Sequence, residues 1–328
     1  MNFFKRIIKK IKNIGLIETL ELLTARLISK LESPGELLRP TLLQRNRYVE
    51  IKELFFCFRK RKTTSKFNAN KSLDTTLKID KDLGYIKLPA NFIEYAQELN
   101  DYITNEYKIK KILANFEDFN KKNLGVAGDR SGFISLLEGS KDQKILFKFL
   151  TEPKLLSIIQ EYLGTYPWLY SCSLQISNEI KMYENTSQNF HMDWEDKKIL
   201  KVFFFLNDID DNSGPFSIID AKSSKKVTDH YQEKYKKNII SQRLSDEMVF
   251  SVVNKNKLVK AIGVKNEIFI ADTCNLLHYG SRPSSKNRIM ISCMYASPFS
   301  LCKWNKPIHR DLIKTDLNLK DWRWSLIN

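Results

Sequence analysis

Apolar residues recur at helical spacing at the start of the chain: Phe4, Ile7, Ile8, Ile11 and Ile14 share a face, with Lys5, Arg6, Lys9, Lys10 and Lys12 around them. That pattern predicts a basic amphipathic helix. A second periodic run, Leu16, Leu20, Leu23, Leu27 and Leu31, ends at Ser33-Pro34-Gly35, a combination that stops a helix. Residues 59–70 are basic and polar and read as a linker. Further along, the period becomes that of a strand. In Phe190-His191-Met192-Asp193-Trp194 polar and apolar positions alternate, so His191 and Asp193 share one face while the other three point into a packed layer. Residues 267–272 and 288–295 predict two strands joined through His278 and a turn containing Gly280 and Pro283. Alternation on the second of them groups Arg288, Met290 and Ser292.

A hydrophobic content of 42% over 328 residues is enough for a sizeable core, in one large domain or two small ones. Cys57, Cys172, Cys274, Cys293 and Cys302 are odd in number and show no framework spacing, which predicts free thiols in a reducing, cytoplasmic setting. The formal net charge of +16 fits attraction to an anionic small molecule or a membrane surface, but the abundance of Lys, Asn and Ile is also what an AT-rich coding sequence produces. Basic residues do not interleave with aromatics in a reader pattern, so no specific nucleic-acid partner is predicted. Glu18 and Glu21 interrupt any signal-peptide core, and no run of about 18 apolar residues occurs, so neither secretion nor a membrane span is predicted. Residues 3–31 fit either a peripheral position on an anionic membrane or packing on the core or a partner subunit.

The chemistry concentrates in four residues. Two imidazoles and a carboxylate are the set by which a non-haem Fe(II) oxygenase holds three positions of an octahedron and leaves the rest open. His191, Asp193 and His278 supply that set from a chain with only 4 histidines, and Arg288 on the following strand is placed to anchor a dicarboxylate. Cys274 and His278 suggest zinc, but no second Cys/His pair accompanies them and zinc is not predicted. Lys201 reads as an edge or surface lysine, with contact to an anion as the alternative.

Residues 200–224, Leu-Lys-Val-Phe-Phe-Phe-Leu-Asn-Asp-Ile-Asp-Asp-Asn-Ser-Gly-Pro-Phe-Ser-Ile-Ile-Asp-Ala-Lys-Ser-Ser, resemble the stretch after the first metal ligands in the phytanoyl-CoA dioxygenase-like family of Fe(II)/2-oxoglutarate oxygenases. Asn212, Gly214 and Pro215 match the family's corner. Asp220, Ala221, Lys222 and Ser223 stand where members carry a Pro-Gly-Ser-His-like end. Upstream, Leu83-Gly84-Tyr85-Ile86-Lys87-Leu88-Pro89 and a helical run to Ile103 are similar to the entry into that domain, and downstream Tyr295-Ala296-Ser297-Pro298 is a similar ending. The resemblance spans about residues 83–298. It implies a mainly β fold with flanking helices (α+β), built on a double-stranded β-helix, the jelly-roll or cupin-like core. Residues 81–300 would form that domain, with 1–80 a basic helical extension and linker and 301–328 a C-terminal extension. Independently of the resemblance, the long Lys-rich run 222–265 between the two groups of ligands predicts a lid-like insertion over the site.

Carried over residue by residue, the resemblance makes His191, Asp193 and His278 the iron ligands and Arg288 the partner of the distal carboxylate of 2-oxoglutarate. Ser292 and Tyr183 are secondary candidates for hydrogen bonds to this cosubstrate, with plain strand positions as the alternative. Fe(II), 2-oxoglutarate and O₂ would then hydroxylate a C–H bond of a small-molecule, sugar or lipid-linked intermediate, releasing succinate and CO₂. Halogenating relatives replace the carboxylate ligand with a small residue, so Asp193 points to hydroxylation, desaturation or cyclisation. Phe203, Phe204, Phe205, Trp194 and Phe216 can wall a dry pocket. The reading from a different class is a non-catalytic jelly-roll adaptor working through its basic helices at a membrane or partner surface.

Overall fold

The chain forms two antiparallel sheets and crosses between them repeatedly in its second half. The computed structural model describes residues 76–116, 131–136, 143–165, 167–177, 187–193, 196–235, 243–282, 284–297 and 300. In chain order these form β1 (Tyr85–Leu88), α1 (Ala96–Glu106), α2 (Ile109–Ala114), β2 (Ser131–Ser135), α3 (Lys144–Leu150), α4 (Pro153–Leu163), β3 (Trp168–Ser177), β4 (Ile199–Phe205), β5 (Ser217–Ile219), α5 (Ala221–Tyr235), α6 (Asp246–Phe250), β6 (Leu258–Lys260), β7 (Ile268–Asp272), β8 (His278–Tyr279) and β9 (Arg288–Ala296). The first sheet has the order β1-β7-β4-β9-β3-β2 and the second β6-β5-β8. Isolated bridges extend the second sheet, with His191 paired to His278 and Phe190 to Leu244. Winding of this kind between two sheets is the double-stranded β-helix expected from the sequence. The predicted N-terminal helices, the linker and the C-terminal extension lie outside the described residues.

Each face of the first sheet has its own reason to be apolar. Leu200, Val202 and Phe204 of β4 join Ile268, Ile270, Ile289, Ile291, Cys293 and Tyr295 in one buried cluster with Leu99 and Ile103 of α1, Phe149 of α3 and Ile158 of α4. The Phe149 and Phe204 rings sit 5.4 Å apart, and the Tyr295 hydroxyl donates to the Leu150 carbonyl at 2.8 Å. The intervening residues Phe203, Phe205, Phe269, Ala271 and Met290 point the other way and mix with Phe216, Ile218 and Leu276 from the second sheet and its turns. A strand buried on both faces reads as a continuous apolar run, as residues 199–206 do. Phe204, expected in the pocket wall, therefore faces the helices.

Behind the second sheet a third cluster gathers Phe190, Met192, Ile219, Leu277 and Tyr279 with Val227 and Tyr231 of α5 and Leu244, Val249 and Val253. The described parts of the insertion, residues 222–235 and 243–265, thus back the outer face of this sheet, and β6 within it pairs with β5. Arg282 stacks on Tyr279 at 3.5 Å, grips Asp246 through two bonds of 2.8 and 2.6 Å, and donates to the Gln188 carbonyl. It thereby ties α6 to the segment that carries His191. The departure at residues 220–223 also has a structural reason. Asp220 precedes α5 and accepts from the Ser223 amide at 2.7 Å and its hydroxyl at 3.0 Å, satisfying groups a helix start leaves bare. Ser224 then accepts from the Leu277 amide, next to His278.

Asp272 closes β7 and organises the loop that leads to His278. Its buried carboxylate accepts from Tyr162 (2.9 Å), Asn275 (2.7 Å) and the amides of Ile199 (3.2 Å) and Cys274 (3.1 Å). Burial pushes this carboxyl above its ordinary range in spite of the donors. Removing the acceptor strands four donors in the core, so Asp272→Ala is expected to cost about 3 kcal/mol. Chemical denaturation measures this, and a loss under about 1 kcal/mol would show that the loop holds without it. Among the described residues no helix is long and apolar enough to cross a membrane.

Candidate metal centre

The two histidines meet because the backbone pairs them. The His191 amide donates to the His278 carbonyl at 2.9 Å and the His278 amide returns the bond at 2.9 Å. Residues that exchange both bonds in an antiparallel ladder stand directly opposite, with side chains on the same face. Their rings lie 4.3 Å apart. Asp193 follows two residues later on the same side, and its amide is held by the Thr273 carbonyl at 2.8 Å. As predicted, Phe190 and Met192 face the opposite, packed layer. Trp194 lies outside the described residues.

Each imidazole is oriented alike. His191 Nδ1 is 2.9 Å from the Asn189 carbonyl and His278 Nδ1 is 2.9 Å from the Leu276 carbonyl, in both cases two residues back. A carbonyl only accepts, so each Nδ1 carries the proton and each Nε2 keeps a lone pair for a metal. The ligand atoms of His191, Asp193 and His278 lie within 4.8 Å of one another, and His278 Nε2 is 3.8 Å from Asp193 Oδ1. Burial lowers the His191 pKa, and burial followed by the neighbouring His191 pushes His278 down to about 3, so both rings are neutral and competent as ligands. Burial alone would raise the Asp193 carboxyl. The Lys201 ammonium, then the two imidazoles, outweigh it and hold the group well below the usual carboxylate range. Two neutral nitrogen donors and one anionic oxygen donor, on the side away from the packed layer of Phe190 and Met192, fit a divalent ion of the iron class.

Lys201 is not the edge or surface residue expected. It sits on β4, between β7 and β9, opposite Ala271 and Met294, and its Nζ is 2.7 Å from Asp193 Oδ2. A lone lysine in a continuous apolar run was the available signal, since such a run marks a strand with no exposed face.

Arg288 lies on the inner face of β9 with Met290 and Ser292, as the alternation predicts, and is buried. Its guanidinium donates to the Gly214 carbonyl at 2.7 Å and the Ser177 hydroxyl at 3.4 Å, and Ser177 is 3.1 Å from the Ser281 hydroxyl. Gly214 has φ 61°, and a Cβ there would stand 2.9 Å from the Arg282 carbonyl, so the glycine of the Gly-Pro corner is required both to make the turn and to present its carbonyl. Ser292 lies in register with Ser173 and Phe203 on the same inner face. The row Ser173, Gln175 and Ser177 on β3, which sequence reading missed, makes this flank polar. Opposite it Phe203 and Phe216 pack 4.8 Å apart, and Phe216 is 5.4 Å from the His278 ring. Tyr183 lies outside the described residues. Cys274 packs with Tyr170, Ile199 and Ala296, and no cysteine joins the His191, Asp193, His278 group among the described residues.

No protein-family model matches the chain, and no curated protein matches it in sequence. Among similar solved structures is EctD from S. alaskensis with 2-oxoglutarate and 5-hydroxyectoine, at 15% identity over 69% of this chain and 79% of that one, with a TM-score of 0.45. HygX from Streptomyces hygroscopicus, with nickel and 2-oxoglutarate bound, matches at 10% identity over 66% and 84%, with a TM-score of 0.38. The non-haem α-ketoglutarate-dependent epimerase SnoN matches at 11% over 66% and 77%, with a TM-score of 0.40.

Proposed function

We propose that this protein is an Fe(II)- and 2-oxoglutarate-dependent oxygenase that hydroxylates a C–H bond of a small-molecule, sugar or lipid-linked intermediate. The observation that carries the reading is the reciprocal His191/His278 backbone pair, which sets two Nε2 lone pairs beside the Asp193 carboxylate. The resemblance of residues 83–298 to phytanoyl-CoA dioxygenase-like oxygenases points the same way. Iron bound there would supply O₂ activation coupled to conversion of 2-oxoglutarate to succinate and CO₂.

The chain's own residues do the rest. His191, Asp193 and His278 would hold the ion and leave room beside it for 2-oxoglutarate and O₂. Arg288, anchored by Gly214 and Ser177, offers its planar fork to the distal carboxylate. Ser292, four residues further along the same face of β9, is a hydrogen-bond partner for the same ligand. Phe203 and Phe216 keep water from the reacting centre. The net charge of +16 favours an anionic substrate.

Adding Fe(II) and 2-oxoglutarate without oxygen is expected to give a weak visible charge-transfer band, and air is expected to release succinate. Absence of both would overturn the assignment in favour of a binding module.

A further inference from the structure

We propose that Lys201 is a positioning residue that occupies one oxygen of Asp193, so that the carboxylate meets the metal through the other oxygen alone. The proposal rests on the metal-centre reading above and assigns Lys201 a part in it. The two carboxylate oxygens already differ. Oδ2 is 2.7 Å from Lys201 Nζ, whereas Oδ1 is the oxygen turned towards His278 Nε2, at 3.8 Å. Neither partner is loosely held. Lys201 stands on a strand laddered on both sides, and the Asp193 amide is bonded to Thr273. The lysine side chain, 26% exposed, leaves β4 on the face it shares with Phe203 and Phe205 and meets Asp193 there.

Coordination arithmetic gives this contact a consequence. A carboxylate binds a divalent ion through one oxygen or two. With one, two imidazoles and Asp193 leave three octahedral positions, enough for a chelating 2-oxo acid and O₂. With two, only two positions remain, and the cosubstrate fills them both. A cation beside a metal site repels the metal, so Lys201 is not there to tighten metal binding. Its effect is to keep Asp193 from closing the third open position.

The test compares wild type, Lys201→Met and Lys201→Arg loaded with Mn(II), using water proton relaxation to count exchangeable waters on the ion and titration to measure Mn(II) and 2-oxoglutarate affinities. Wild type is expected to show three waters and K201M two, with Mn(II) bound as tightly or more tightly in the variant. Mn(II)-loaded K201M should still bind 2-oxoglutarate but keep no exchangeable water beside it, whereas the wild-type complex keeps one. K201R should restore the third water. A water count in K201M equal to wild type, with and without 2-oxoglutarate, would overturn the proposal. So would weaker Mn(II) binding together with a lower melting temperature of the metal-free variant, which would assign Lys201 to folding. Should K201M not fold, Lys201→Ala with added propylammonium takes its place. Recovery of the third water on adding the amine supports the proposal, and no recovery overturns it. A wild type that binds no Mn(II) would overturn the metal-centre reading itself.

Discussion

Replacing His278 with glutamine is expected to bring succinate release to background and weaken Fe(II) binding by about 100-fold or more, since a lost coordinate bond of ~3 kcal/mol already corresponds to two decades. The fold should survive. The ladder bonds between residues 191 and 278 are made by backbone amides and carbonyls, so the second sheet keeps its closure when the ring is removed. His191→Gln is expected to match it, because the two rings are equivalent partners with the same Nδ1 anchoring. His230, exposed on α5, is the control: His230→Gln should leave metal binding and turnover as in wild type. Anaerobic metal titration with a parallel succinate assay measures all three. A His278→Gln protein with wild-type Fe(II) affinity would show that the ion binds elsewhere.

The ligands themselves were legible in the sequence because their signal is local. Alternation around residues 190–194 and again around 288–292 puts His191 with Asp193 and Arg288 with Ser292, and the structure keeps both pairs on inner faces. What brings the pairs together is not local. The exchange of bonds between His191 and His278 depends on closure of a sheet across a long insertion, and no short-range pattern reports its register. Double burial hid the rest. In residues 199–206 both faces are apolar, so period-two alternation vanishes from the sequence, and with it the cues that Phe204 faces the helices while Lys201 faces the site. The insertion raised a different problem. Its length and Lys-rich composition suggest a lid over the site, while Val227 and Tyr231 recur at helical spacing and give α5 the apolar stripe that seats it behind the second sheet.

Arg288→Met separates cosubstrate binding from metal binding. The guanidinium is buried on β9 and fixed by the Gly214 carbonyl and the Ser177 hydroxyl, so it is oriented before any ligand arrives. A buried carboxylate that loses such a partner forfeits about 2–5 kcal/mol, or roughly 30-fold to several thousand-fold in affinity. The variant is therefore expected to bind Fe(II) as wild type does and to require at least about 30-fold more 2-oxoglutarate to develop the charge-transfer band. Arg288→Lys should recover only part of the loss, because a single ammonium cannot reproduce two parallel bonds to a planar carboxylate. The alternative role for Arg288 is purely architectural, tying β9 to β3 and to the Gly-Pro corner. In that case Arg288→Met would lower the melting temperature of the metal-free protein while the 2-oxoglutarate titration of the folded fraction stayed unchanged.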